Sequence, residues 1–303
     1  MSHRLHPAQL VPAVLLMAAA IGGCSASASP AADQPAPAGR ATAAAPLSHA
    51  LPQDPVPMVL PATGADTRLT VGLGTFGQTV SAAVTARCAH DAGRPRPQGP
   101  PPMFVRLGAL PDLDLLERDG FNGGPAPDLP SVLRTAADSA EPGAASADDS
   151  DAVVLRCAAA GTTAVRALDA LSSPLQSEWW NTLDTLRSQP RVRHALAEVP
   201  KCLDRRHNLR VDNEDDFFAL VDSRLAEHAD DTTALVREDH ELAGAYADCM
   251  RPVEAVREPL RQKLRERFVA ENSREIASLR SQLGPAVREL EKRHGVHISF
   301  PTL

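Results

Sequence analysis

The chain has 303 residues, with 38 acidic against 31 basic side chains, a formal net charge of −7 and only 3% aromatic residues. The acidity excludes nucleic acid as a general partner, and the scarcity of rings leaves the core to Leu, Val and Ala. The five cysteines raise the question of compartment, which the N-terminus addresses first.

Residues 1–23 have the layout of a secretory signal. Arg4, with His3 and His6 beside it, is a weakly basic start, and Leu10 to Ile21 is an uncharged apolar run. That run falls short of the about 20 residues needed to cross a bilayer, so it reads as a removable signal. Ile21-Gly22-Gly23-Cys24 follows directly and resembles the lipobox of bacterial lipoproteins. The small residues suit a narrow peptidase cleft, and the Cys24 thiol is the atom that accepts diacylglycerol. Two or more acyl chains give stable anchoring. In the competing reading an ordinary signal peptidase uses Ala26-Ser27-Ala28 and Cys24 is discarded. The expected address is the extracytoplasmic face of the cell membrane. Loss of Arg4 with the signal makes the chain one unit more acidic.

From Ser25 to about Pro61 the sequence is rich in Ala, Pro and Ser, a composition that cannot bury a core. Residues 24–65 are therefore expected to form a semi-rigid tether, and residues 66–303 a helical body. Within the body, 66–74 is a short strand or extended entry. Residues 75–91 form a helix with Phe76, Val80, Val84 and Cys88 on one face. A Pro-rich loop covers 93–102, and a short helix lies around Leu113–Arg118 in an otherwise ambiguous stretch. Residues 123–151 read as loop, which would split the body into two lobes.

Helical spacing then dominates. A helix from Ala152 carries Val154, Cys157, Val165, Leu168 and Leu171 and ends near Ser173-Pro174. Others cover about 175–188 with Trp179, 190–206 with Val192, Leu196, Val199 and Leu203, and 215–229. The next, 232–249, is capped by Asp231 or Thr232. The last helix starts near Pro252 and carries a long stripe that includes Leu260, Phe268, Ile276, Leu279, Leu283, Val287 and Leu290. Pro252 and Pro259 would start or kink it, and Gly284-Pro285 would kink it late. The fold class is mainly α: a disulfide-stapled helical bundle with a long C-terminal helix, after the tether.

Cys88, Cys157, Cys202 and Cys249 are an even set in an exported chain, which suggests two disulfides with three possible connectivities. Zinc sites usually show close pairs, and these cysteines are far apart in sequence. The expected bridges are Cys88–Cys157 and Cys202–Cys249, because each joins helices adjacent in cysteine order. Cys202 and Cys249 are also placed near helix C-termini, where antiparallel helices meet. Residues 204–241 are acidic and 251–293 basic. They read as two faces that complement each other within the bundle, with a basic surface towards anionic lipid or wall polymer as the alternative.

Several motifs are weighed against chemistry. Gly72-Leu73-Gly74-Thr75-Phe76-Gly77 matches GxGxxG, but no second strand and crossover follow, so a turn into the Cys88 helix is favoured over a dinucleotide site. Asp212-Asn213-Glu214-Asp215-Asp216 has Phe217 where a calcium loop needs Gly, so it reads as a helix cap. Asp148-Asp149-Ser150-Asp151 reads as acidic loop and cap. His294 and His297 are spaced HxxH without the acid of a zinc protease motif. Of Trp179 and Trp180, one is expected in the core and one at an interface.

The cysteines and their neighbours carry a resemblance. The elements are Thr85-Ala86-Arg87-Cys88 with Gly93 after it, Asp119-Gly120-Phe121, Leu155-Arg156-Cys157, VRHALAEVPKCL over 192–203 and LAGAYADCM over 242–250. In this order they resemble uncharacterised secreted lipoproteins of actinobacteria, across most of 75–293. The departure is Val199, where those proteins carry Trp three residues before the third Cys. The resemblance implies export, paired cysteines and this fold, with an accessory role in the cell envelope. It transfers no catalytic residue.

The expected function is non-catalytic binding at the envelope, without a cofactor, through an envelope protein or a cell-wall polymer. Leu283, Val287 and Leu290 are the expected interaction surface. The alternative is an extracytoplasmic hydrolase whose site gathers acids around His207 or His240. A solute-binding protein is disfavoured, since the chain lacks the strands of two α/β lobes.

Overall fold

The computed structural model describes residues 46–94, 110–123, 127, 129, 130, 133 and 147–303, with side chains in the last segment from residue 151. The signal segment, Cys24, most of the tether and most of 123–151 lie outside the described residues.

In chain order the elements are β1 (Leu47–Ser48), α1 (Val56–Val59), α2 (Gly64–Asp91), α3 (Leu113–Asp119) and α4 (Ala147–Asp184). A 3₁₀ turn (Thr185–Ser188) leads to α5 (Pro190–Ala197), α6 (Val199–His207), α7 (Glu214–Glu227), α8 (Thr232–Glu271), α9 (Ser273–His294) and β2 (Phe300–Pro301). The protein is mainly α. Among the described residues two short strands pair antiparallel, Leu47 opposite Pro301 and Ser48 opposite Phe300. Among the described residues no helix is long and apolar enough to cross a membrane.

The strand expected at 66–74 is helix instead. Thr63 starts α2 with a reciprocal cap: its hydroxyl accepts from Asp66 N at 3.1 Å, and Asp66 Oδ2 accepts from Thr63 N at 3.1 Å. That pairing satisfies two of the donors a helix start leaves open. The tether also ends earlier than residue 65. Val56, Met58, Val59, Leu60 and Ala62 are buried in the core, because a short apolar run interrupts the prolines there.

Proline misplaced the expected boundaries. The helix that ended at Pro174 is α4, which runs through it, and α8 runs through both Pro252 and Pro259. An interior proline costs roughly 3 kcal/mol. Buried Leu168, Leu175 and Trp179 offset that cost on α4, and Met250, Val253 and Phe268 offset it on α8. The long C-terminal helical region is divided at Asn272, whose N–H and side-chain amide both donate to Phe268 O, at 2.9 and 3.0 Å. The helix expected over 190–206 is likewise two, broken at Glu198 before Pro200 in the first turn of α6. Asp148–Asp151 falls inside α4 and not in a loop.

Two apolar clusters fill the body. The first gathers Val59 and Leu60 with Phe76 and Val80 of α2, Leu168 and Trp179 of α4, Phe268 of α8, the inner face of α9, and Phe300. The second joins α3, α6, α7 and the first half of α8 around Leu116, Leu203, Phe217, Leu242, Tyr246 and Met250. Phe217 and Tyr246 stack with centroids 5.3 Å apart. Each cluster takes residues from both sides of 123–151, so that segment does not divide them, and α8 passes through both.

The apolar stripe of α9 belongs to the first cluster. Leu283 and Val287 are 0% exposed and Leu290 is 6% exposed. This corrects their expected role as an interaction surface: α9 packs on α4 and α2, and that packing covers them.

Both expected disulfides are present. Cys88–Cys157 joins the end of α2 to α4, and Cys202–Cys249 joins α6 to α8. The reason given for the second pairing fails, since Cys202 stands near the start of α6 and Cys249 within α8. Lateral contact of the two helices makes the bridge, with 5.7 Å between the Cα atoms.

Candidate binding groove

α2 and α4 lie side by side in opposite directions: Cys88 is bonded to Cys157, and Thr85 and Ser81 flank Gly161. The seam is tight there. A Cβ on Gly161 would stand 2.3 Å from Thr85 Oγ1 and 2.6 Å from Ser81 O, so only glycine fits. Thr85 Oγ1 donates to Cys157 O at 3.3 Å. One turn before Phe76, Gly72 is equally constrained, because a Cβ would lie 2.3 Å from the Phe300 ring.

Beyond the Gly161 contact the seam opens into a groove of about 680 Å³. Its α2 wall includes Gly74, Gly77 and Ser81, and its α4 wall includes Asp169, Ser172 and Gln176. A Cβ at Gly74 or Gly77 would meet nothing within 4 Å. Glycine inside a helix costs about 0.5–1 kcal/mol relative to alanine. Contact within the chain accounts for that cost at Gly72 and Gly161 but not at Gly74 and Gly77.

Among the described residues that line the groove, most are polar, one is an acid and none is a base. Thr70 Oγ1 donates to Pro57 O at 3.2 Å and Ser172 Oγ to Leu168 O at 3.1 Å, so those hydroxyls are committed. Gln78, Ser81, Asp169, Ser173 and Gln176 make no side-chain hydrogen bond among the described residues, which leaves their donors and acceptors facing the groove or solvent. Leu73, Val165 and Leu168 supply an apolar base.

GxGxxG therefore lies inside α2 and forms neither a turn nor a helix N-terminus. Its backbone N–H groups are in the helix interior, where they bond within the helix. The other expected sites resolve as follows. Asn213 caps α7, its Oδ1 accepting from Asp216 N at 2.9 Å. Trp179 is buried and donates from Nε1 to Pro61 O at 2.8 Å, while Trp180 is half-buried. His297 lies 3.9 Å from Glu291, apart from His294. Both ring nitrogens of His294 are buried without a hydrogen-bond partner. Burial holds its pKa below the usual histidine value, assisted by Arg293 and Arg87.

His207 is brought against Asp248, Nε2 to Oδ2 at 3.0 Å, and Arg206 Nη1 reaches both Asp248 oxygens at 2.8 and 2.7 Å. His240 is not joined to them. The cysteines beside this pair are closed as a disulfide, so among the described residues no nucleophile contacts His207.

The basic 251–293 segment does not complement 204–241. Its arginines pair elsewhere: Arg251 with Asp114 and Glu117, Arg265 with Asp66, and Arg280 with Asp54. Inside, Glu254, Arg257 and Arg261 are 8, 5 and 2% exposed. Arg261 donates to Glu254 and from Nε to Ala62 O at 2.7 Å, which ties α8 to the turn before α2. Arg257 and Arg261 brace the interior and Arg265 is half-buried, while Arg251, Lys263, Arg267, Arg274, Arg280, Arg288, Lys292 and Arg293 are exposed. Sequence reasoning missed the open glycines and this buried network. Helix-interior glycines in a segment otherwise rich in helix formers were the available signal for the first. For the second it was charged residues at the spacing of Val253 and Phe268.

No protein-family model, curated protein or solved structure matches this chain.

Proposed function

We propose that the chain is a lipid-anchored binding protein of the extracytoplasmic membrane face, non-catalytic, whose α2–α4 groove takes a neutral or cationic hydrogen-bonding chain of an envelope protein or wall polymer. The observation that carries the binding role is the open floor at Gly74 and Gly77 within an otherwise continuous helix. Asp169, the one acid among the described lining residues, sets the charge preference. The Ile21–Cys24 lipobox supports the anchor, and so does the resemblance to secreted lipoproteins of actinobacteria. The two disulfides agree with an oxidising compartment.

The test has two arms. Membrane fractionation and intact mass follow the anchor: the wild-type chain partitions into detergent with lipid on Cys24, and Cys24→Ala does not. Co-sedimentation with purified wall sacculi, and with membranes stripped of this protein, follows the groove. Gly77→Leu fills the floor and removes binding while the helical fold persists. A Gly77→Leu variant that binds as wild type would sink the groove reading and leave the anchor standing.

A further inference from the structure

A second pocket, of about 300 Å³, lies where residues 51–58 meet α9, and it shares no lining residue with the α2–α4 groove. Its α9 wall includes Arg280, Gly284 and Arg288, which fall every four residues and so share one side of the helix. Long side chains on a helix lean towards its N-terminus. Arg288 does so, and its Nη2 lies 3.3 Å from where a Cβ on Gly284 would stand. The glycine gives the guanidinium room to lie across the helix, along the pocket wall. The facing wall is apolar, built from Leu51, Pro52, Pro55 and Met58, with Pro55 and Met58 buried. Gln53 adds an exposed amide to the lining.

The two arginines are not equivalent. Arg280 donates from Nε and Nη2 to Asp54 Oδ1 and Oδ2, both at 3.2 Å, so its charge is balanced. Arg288 makes no hydrogen bond or ion pair among the described residues, and neither does the Gln53 side chain. The lining thus presents one uncompensated positive charge beside an apolar wall. We propose that this pocket binds a monoanionic carboxylate on a short apolar stem. The planar fork of Arg288 matches the two carboxylate oxygens with charge-assisted hydrogen bonds. Gln53 is placed to donate a further N–H to the same group. The stem takes the place of water against Leu51, Pro52, Pro55 and Met58. A dianion would need Arg280 as well, and Asp54 already holds it. The volume is at the small end for ligand pockets, so the occupant is a short-chain acid or the last residues of a peptide with a free C-terminus. The two openings then sort ligands by sign, with Asp169 in the groove and Arg288 here.

The experiment titrates octanoate into the full chain in a Cys24→Ala background, with methionine methyl groups labelled for NMR. Met58 reports from the pocket, and Met250 in the other apolar cluster is the internal control. Octanoate should shift the Met58 methyl to saturation and leave Met250 unmoved, and octanol, with the same stem and no charge, should not. Arg288→Gln should weaken binding about 10–100-fold, the effect of losing charge-assisted hydrogen bonds. Gly284→Leu keeps both arginines, fills the pocket and should remove binding. Arg293→Gln changes an exposed arginine of α9 outside the pocket and should have no effect. Asp54→Asn frees Arg280 and should tighten binding about 2–5-fold, the range of an exposed ion pair. Circular dichroism follows the fold of each variant, and the exposed Arg288 decides the matter if Gly284→Leu misfolds. A short peptide ending in leucine, as free acid and as amide, separates the sources. Acid-dependent peptide binding tighter than octanoate assigns a protein C-terminus, and binding of octanoate alone assigns a free acid. The proposal is overturned if octanol matches octanoate, if neither acid shifts Met58, or if Arg288→Gln binds as wild type.

Discussion

The two disulfide-bonded helix crossings are built on opposite plans. At Cys88–Cys157 the helices meet through Gly161, Ser81 and Thr85, and the Thr85 hydroxyl donates to Cys157 O. At Cys202–Cys249 the helices meet beside Asp248, His207 and Arg206, with an aromatic cluster of Phe217 and Tyr246 close by. The first crossing is close enough that a neighbouring stretch of the same two helices can stand apart and leave a groove. The second places the Asp248, Arg206 and His207 cluster beside the bridge. A cysteine pair fixes where two helices touch, and the residues within two turns of it decide what the contact is good for.

The largest expected effect comes from removing each staple. Cys88→Ala with Cys157→Ala, and Cys202→Ala with Cys249→Ala, should each lower stability by about 4 kcal/mol on the chain-entropy estimate, measured by urea denaturation of the oxidised chain. Only the first pair should also change groove binding, since it holds the α2–α4 seam. Equal loss of binding in both pairs would mean the groove depends on the whole body.

Gly161→Leu should destabilise by about 1–3 kcal/mol, the range for overpacking a close contact, read from the same denaturation curves. Gly77→Ala should act in the opposite direction and stabilise by about 0.5–1 kcal/mol, because alanine is the better helix former and its Cβ enters open space. If both glycines respond alike, the seam does not open where the structure places the groove.

The smallest expected effect is the pH response of His294, near the first crossing. Its folded pKa lies below the ordinary 6.5. The unfolded chain therefore takes the proton first, and stability falls as pH drops below that value. Thermal denaturation between pH 7 and pH 5 should show this slope, and His294→Leu should reduce it. An unchanged slope would assign the acid response to other groups.

Much of this was legible in sequence. Four-residue spacing located Phe76, Val80 and Cys88 on one buried side, and the Asn213 and Asp231 caps follow from side-chain oxygen placed before a helical run. The cysteine order led to both bridges. What failed was punctuation. Proline and glycine were read by local rules, and tertiary burial overrode those rules at Pro174, Pro252 and Pro259. Glycine within α2 looked like a turn because sequence carries no sign of Phe300 packed against Gly72. The cover of the α9 stripe was not legible, because part of it comes from α1, inside the stretch expected to be tether, and from Val296, Ile298 and Phe300 after the helix.

The most direct test of the binding account is site-specific photo-crosslinking in cells, with the reactive residue placed at Gln78 in the groove and, as control, at exposed Glu227 on α7. The account predicts a discrete adduct from Gln78 that disappears in Gly77→Leu, and none from Glu227. Adducts of equal yield from both positions, or a Gln78 adduct that survives Gly77→Leu, would contradict it.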